Sequence, residues 1–255
     1  MRLRDAAARG GFSAYICLGH PSVEASVAHA IACIDGGADW LELGIPFSDP
    51  AADGPVIQKA THDALTAGAP VAACLDAARR IREARPAVPL VAMTYANVAH
   101  RMGWDAWAAA LAEHGIDGCI LPDVPLEESG PVRTALAAAG VAWVPLVTPM
   151  TDLERMRRIA ATATGFLYVV GNVGTTGQGD PGALIEATVA RAKDAGDAPL
   201  AVGFGIAAPE HVRRVRDAGA QGAIVGSHIV AMIDGGATPA QVEAEVRRLK
   251  GDTWA

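Results

Sequence analysis

Glu42 stands alone as a carboxylate in the run Trp40-Leu41-Glu42-Leu43-Gly44. Read as a strand, this run turns alternate side chains to opposite faces. Leu41 and Leu43 suit an outer face packed by helices, and Glu42 then points inward near the strand's upper end. A charge buried there is costly, and burial raises a carboxyl pKa toward neutrality. That suits a group that gives and takes protons near pH 7. A structural Glu paired with an interior cation is the other reading. A second carboxylate, Asp53, lies in the rigid polar loop Ile45-Pro46-Phe47-Ser48-Asp49-Pro50-Ala51-Ala52-Asp53-Gly54-Pro55. Pro55 fits the first turn of a following helix. Asp53 suits either catalysis or a helix cap, and both stay open on spacing alone.

Two later segments could hold an anion. Gly203-Phe204-Gly205-Ile206 and Gly226-Ser227 each follow an apolar run, and the second opens a helical pattern. Glycines let backbone N–H groups approach a phosphate, and a helix N-terminus favours negative charge. Ser227 adds a hydroxyl. Ordinary strand-to-helix turns would also use glycine here. The Gly-rich stretch Gly171-Asn172-Val173-Gly174-Thr175-Thr176-Gly177-Gln178-Gly179-Asp180 reads as a lid or as an irregular surface loop.

These residues need a frame. Eight β-rich runs are legible: Ser13–Leu18, Trp40–Leu43, Leu90–Thr94, Gly118–Leu121, Trp143–Val147, Phe166–Val170, Leu200–Gly203 and Ala223–Val225. Helical patterns lie between them, among them Val23–Asp35, Ala72–Arg85, Glu127–Ala139 and Pro209–Asp217. Several end in glycine, at Gly36-Gly37, Gly115, Gly140 and Gly219. Alternation of this kind predicts a parallel sheet with helical crossovers. Eight units in 255 residues predict a single α/β domain over residues 1–255, a (β/α)8 TIM barrel. The long interval after the second strand predicts an extra segment there. In such barrels the chemistry sits on loops at the C-terminal ends of the strands, where Glu42, Asp53 and the glycine loops fall.

Composition narrows the classes. The chain is 51% hydrophobic and 19% charged, with a net charge of −7. That fits a large core and lacks the basic stripe a nucleic-acid binder needs. No apolar run suits a signal peptide or a membrane span. Cys17, Cys33, Cys74 and Cys119 show neither metal-ligand nor disulfide spacing and read as buried thiols of a cytoplasmic protein. The lysines, Lys59, Lys193 and Lys250, lie in helical segments away from the strand tops. The histidines form no ligand pattern; His20 reads as a loop residue and His228 as exposed. No cofactor or metal is expected.

Glu42-Leu43-Gly44-Ile45-Pro46-Phe47-Ser48-Asp49-Pro50, followed by Ala52-Asp53-Gly54-Pro55 and Ile57-Gln58, resembles the signature of the tryptophan synthase α-subunit family. The likeness continues through Met93-Thr94-Tyr95 with Asn97, Leu121-Pro122-Asp123-Val124-Pro125-Leu126-Glu127-Glu128-Ser129, Gly203-Phe204-Gly205-Ile206 and Gly222-Ala223-Ile224-Val225-Gly226-Ser227. The resemblance implies retro-aldol cleavage of indole-3-glycerol phosphate to indole and glyceraldehyde 3-phosphate. It implies Glu42 and Asp53 as the catalytic pair. It implies phosphate binding at Gly177, Gly205, Gly226 and Ser227, and a contact between Thr176 and the catalytic Asp. Tyr95, with Leu121 and Leu146, would line the indole pocket. Without a lysine Schiff base or a metal, the indole ring itself must accept the bonding electrons.

The resemblance also implies a β-subunit partner in an α2β2 heterotetramer, faced by Asp49, Asn97 and Pro125. Three departures bear on that. Ala51 stands where the family usually has leucine, Gly171-Asn172 where it commonly has Ser-Arg, and Met1–Arg9 leaves room for only a short first helix. They predict weak coupling to a partner. A free-standing lyase that releases indole, a subunit that mainly activates its partner, and another phosphate-binding barrel such as an aminosugar-phosphate isomerase are the alternatives.

Overall fold

The computed structural model describes residues 2–171, 181–203 and 205–254. Its strands are β1 (Gly11–Cys17), β2 (Trp40–Gly44), β3 (Leu90–Met93), β4 (Gly118–Ile120), β5 (Ala142–Trp143), β6 (Leu146–Val147), β7 (Leu167–Val170), β8 (Leu200–Gly203) and β9 (Gly222–Val225). They run parallel in the order β5-β4-β3-β2-β1-β9-β8-β7-β6. The two ends of that order are successive pieces of one stave. The expected strand Trp143–Val147 pairs with β4 through its first half and with β7 through its second. Pro145 sits between them and has no N–H to donate, which breaks the ladder. Its carbonyl still accepts from Tyr168 N at 2.9 Å, and Val144 N donates to Cys119 O at 3.1 Å. The chain therefore closes the ring, and the fold is a (β/α)8 barrel.

Around it lie α1 (Arg2–Arg9), α2 (Val23–Asp35), α3 (Pro55–Thr66), α4 (Val71–Ala84), α5 (Ala96–Met102), α6 (Trp104–Glu113), α7 (Gly130–Ala138), α8 (Leu153–Ala160), α9 (Pro181–Lys193), α10 (Pro209–Asp217), α11 (Ser227–Asp234) and α12 (Pro239–Lys250). Between β2 and β3 stand both α3 and α4. The starts are locally encoded: Ser22 accepts from Ala25 N at 3.1 Å, Asp152 accepts from Arg155 N at 2.8 Å, and Thr238 with Gln241 forms a capping box. The helix expected over Glu127–Ala139 is instead a 3-10 turn, Leu126–Glu128, followed by α7. Pro131 provides no N–H to a helix running through it, so the chain begins a new helix there. No helix among the described residues is long and apolar enough to cross a membrane.

The barrel floor is filled. Leu3 of α1 is fully buried, and a Cβ on Gly118 or Gly165 would meet its Cδ2 at 2.5 or 3.0 Å. Above it the rings of Trp40 and Phe166 lie 5.8 Å apart. Glu42 and Tyr168 each follow one of these aromatics by two residues, so they occupy the same face one layer higher.

The lower rim repeats one device four times. The residue leading into each even-numbered stave folds its side chain back to accept the N–H of the preceding odd stave. Asp39 accepts from Phe12 N at 2.8 Å, Asp117 from Leu90 N at 2.9 Å, Thr164 from Trp143 N at 2.8 Å and Gln221 from Leu200 N at 2.8 Å. The backbone N–H of each returns a bond to the same residue's carbonyl, at 2.8, 2.8, 3.1 and 2.9 Å. Asp117 also receives Arg82, which spans Gly115 O and Val88 O at 3.0 and 2.7 Å. Replacing Asp117 with Ala should leave Leu90 N–H unmet and Arg82 without its anion. We expect a loss of about 3 kcal/mol, read as a lower urea midpoint with an unchanged m-value. Asp117→Asn keeps an acceptor and should lose less than half as much.

Candidate active site

Glu42 lies at the centre of β2, in register with Tyr15 of β1, and is 1% exposed. Among the described residues its Oε1 has no hydrogen-bond partner. Among the described residues no cation pairs with it, which argues against the ion-paired reading. Burial alone pushes its carboxyl pKa from the usual 4.5 up to about 8.

Asp53 comes to the same place from the β2–α3 loop. Gly54, not Asp53, is the N-cap of α3, and no side chain caps that helix. The carboxylate is instead held from the top of the neighbouring β3, where Tyr95 O–H donates to Asp53 Oδ2 at 2.8 Å. The same phenol oxygen accepts from Ala52 N at 2.9 Å, and the Tyr95 ring stacks on Phe47 with centroids 5.3 Å apart. Burial raises the Asp53 pKa, and the Tyr95 hydrogen bond opposes that rise. Tyr95 thus touches Asp53 and Ala52, two residues that line the cavity.

The cavity has two chambers that meet at Asp53, Pro55, Met93 and Gly205. The inner chamber, about 270 Å³, is lined by Glu42, Tyr15, Tyr168, Ile206, Gly226 and Ser227. The outer, about 740 Å³, is mostly apolar and includes Leu121, Leu126, Trp143, Leu146 and Val170. Of the sites expected from sequence, Glu42, Asp53, Gly205, Gly226 and Ser227 share the inner chamber, while Leu121 and Leu146 face the outer one. Thr176, Gly177 and Asn172 lie outside the described residues.

The anion end expected from sequence is mostly backbone. Gly205 has φ +77°, a left-handed conformation that favours glycine. Gly226 is the N-cap of α11, and no side chain caps the helix. A Cβ at Gly226 would make only ordinary contact with Tyr15, 3.4 Å away. His228, next to Ser227, is half-buried rather than exposed, with Nε2 2.6 Å from Glu245 Oε1.

Two residues escaped the sequence reading. Tyr15 and Tyr168 flank Glu42, and burial holds both phenols well above their usual pKa and so un-ionised. A Cβ on Gly44 would overlap the Tyr15 phenol, and one on Gly203 the Tyr168 phenol. The available signal was a tyrosine on the inward parity of its strand.

The family model described as "Tryptophan synthase alpha chain" matches residues 1–253. The chain belongs to the tryptophan synthase α-chain family. This is a family of carbon–carbon lyases in tryptophan biosynthesis. The tryptophan synthase alpha chain of Methanopyrus kandleri is 42% identical over 244 residues, covering 94% of this chain and 87% of that protein. The one from Salmonella paratyphi B is 40% identical over 240 residues, covering 93% and 90%. Among solved structures, tryptophan synthase subunit alpha from Legionella pneumophila superposes with a TM-score of 0.87 at 32% identity, covering 97% of this chain and 96% of that one. A chain of the tryptophan synthase complex from Pyrococcus furiosus gives 0.84 at 31%, covering 94% and 97%.

In this α-family chain, the raised Glu42 pKa links ionisation to folding. An unfolded Glu ionises near 4.5, and the folded one near 8. The stability contributed by the protonated form is complete below 4.5 and is lost as pH rises through 8. Glu42→Gln should therefore match wild type in stability near pH 4 and exceed it by a few kcal/mol above pH 8. Denaturant titrations across that range check this; parallel curves would place the Glu42 pKa at its ordinary value.

Proposed function

We propose that this chain cleaves indole-3-glycerol phosphate by a retro-aldol route, with Glu42 as acid/base and Asp53 as the partner of the indole N–H. The observation that carries this reading is the inner chamber. There a carboxyl poised near neutrality lies in one cavity with a second carboxylate and with the uncapped start of α11. The backbone at Gly205, Gly226 and Ser227 would hold the phosphate. The indole ring would extend past Met93 toward Leu121 and Leu146.

The chemistry balances without an external electron acceptor. A proton from Glu42 adds to indole C3 and makes an indolenine cation. The glyceryl hydroxyl on the carbon next to the ring then gives its proton to the Glu42 carboxylate. The C–C bond breaks, its electron pair returns to the ring, and the aldehyde and indole separate. Asp53 accepts a hydrogen bond from the ring N–H and offsets the positive charge as it develops. Tyr95 fixes the direction of that carboxylate. Glu42 begins and ends protonated.

Solved relatives include a complex of tryptophan synthase, and the same arrangement serves a β-subunit partner here. Asp49, Ala51, Asn97 and Pro125 are all exposed, and Ala51 and Pro125 also line the outer chamber. Indole released from that chamber would leave through the face these residues occupy.

Direct assay with indole-3-glycerol phosphate tests the activity. Glu42→Gln should lower kcat by about 10³-fold with little change in KM. Asp53→Asn should lose most turnover with its melting curve unchanged, since it caps nothing. Wild-type rates in both variants would remove the pair from the mechanism. Gly226→Ala should fold normally, because its Cβ clears Tyr15, yet raise KM several-fold by intruding on the phosphate. Unchanged KM would move the phosphate elsewhere. For the partner, Ala51→Leu restores about three buried methylenes, about 2 kcal/mol at most. It should tighten β-subunit binding on the order of tenfold by calorimetry. No change would take Ala51 out of the interface.

A further inference from the structure

A second polar cluster lies outside the cavity, where the loop after β1 meets α3 and α11. His20 is only 4% exposed, yet neither ring nitrogen has a hydrogen-bond partner among the described residues. Buried polar side chains are ordinarily satisfied, so an orphaned imidazole calls for a physical explanation. The ring is aimed between two carboxylates. Its Nε2 is 3.6 Å from Asp234 Oδ1, and its Nδ1 is 3.9 Å from Asp63 Oδ2. One donor atom from each of the three residues lies within 4.8 Å of the others. The carboxylates already hold a cation. Lys59 Nζ is 2.8 Å from Asp63 Oδ2 and 2.6 Å from Asp234 Oδ1.

We propose that His20, Asp63 and Asp234 form a binding site for a divalent transition metal of the zinc and cobalt class, which Lys59 occupies with its ammonium group when no metal is bound. The donor set decides the class. An imidazole nitrogen with two carboxylate oxygens suits zinc, cobalt and similar ions, whereas calcium and magnesium prefer oxygen alone. At bond lengths near 2.1 Å, tetrahedral ligand atoms lie about 3.4 Å apart. The two aspartates therefore need to close in by about an ångström. Both are partly exposed on helix surfaces and can change rotamer. Lys59 is exposed and can swing its charge into water. Water would complete the coordination shell.

The position gives the ion a consequence. Asp63 belongs to α3, which starts two residues after Asp53, and Asp234 ends α11, which starts at Ser227. A bound metal would clamp together the two helices whose first turns adjoin the proposed catalytic Asp and phosphate site.

The test uses tag-free protein stripped with chelator and titrated with Co²⁺, whose visible absorption reports on its ligands, followed by Zn²⁺ in competition. One equivalent of Co²⁺ should bind and be displaced by Zn²⁺. His20→Asn and Asp234→Asn should each weaken binding by about a hundredfold. Lys59→Met removes the competing cation and should tighten binding on the order of tenfold. Zn²⁺ should raise the melting temperature of wild type and of Lys59→Met, but not of His20→Asn. Failure of both wild type and Lys59→Met to take up Co²⁺ saturably overturns the proposal. So does uptake that His20→Asn leaves unchanged.

Discussion

A carboxyl group enclosed in a protein without a cation resists ionisation, because nothing repays the lost hydration of its charge. Glu42 is held under that constraint, and its surroundings maintain it. The Trp40 and Phe166 rings close the space below it. Tyr15 and Tyr168 stand beside it as neutral phenols, and their own burial keeps them so. Those rings fit only because Gly44 and Gly203 carry no side chain. The outcome is a group that stays mostly protonated at neutral pH yet titrates close to it, at about 8, so one residue can both donate and accept. Asp53 shares the chamber under different terms. It is less enclosed and receives the Tyr95 hydroxyl, so its anion is supported. Burial raises the pKa of both carboxyls, and only Asp53 has a hydrogen bond that opposes the rise.

Much of this frame was readable from residue order. The inward direction of Glu42 followed from strand alternation, and the same parity put Trp40 beneath it. The eight staves emerged because parallel barrel strands are short apolar runs flanked by glycine and helical patterns. What stayed hidden were relations between distant segments. Local rules made Asp53 a plausible cap, yet Gly54 takes that position and a tyrosine 42 residues away claims the carboxylate. Tyr15 and Tyr168 were ordinary strand tyrosines until the register placed each against a glycine. The run Trp143–Val147 read as one strand, and the fold shows that Pro145 splits this stave between two pairing partners. His20 read as a loop residue, and only the fold brings Asp63 and Asp234 to it.

The two ends of the barrel are finished differently. At the mouth, Asp53 is held by a long-range contact from Tyr95, and α11 starts after Gly226 without a side-chain cap. Exposed Asp49, Asn97 and Pro125 follow β2, β3 and β4 at this end. At the floor, Leu3 fills the space that Gly118 and Gly165 leave, and side-chain hydrogen bonds tie the staves together. Stability is concentrated at one end, which leaves the other free to be shaped by substrate and partner.

The rim clamps carry a further implication. Each joins an odd stave to the even stave that follows it, through Asp39, Asp117, Thr164 and Gln221, and none joins an even stave to the next odd one. The ring is thus assembled from four two-stave quarters with a reciprocal pair of hydrogen bonds inside each. The seams between quarters fall at α4, α7 and α9. A chain divided at those helices keeps every clamp within a single fragment, whereas a cut inside a quarter separates a donor from its acceptor. Modularity of that kind makes the quarter, rather than the single β/α unit, the natural piece for exchange or recombination between related barrels.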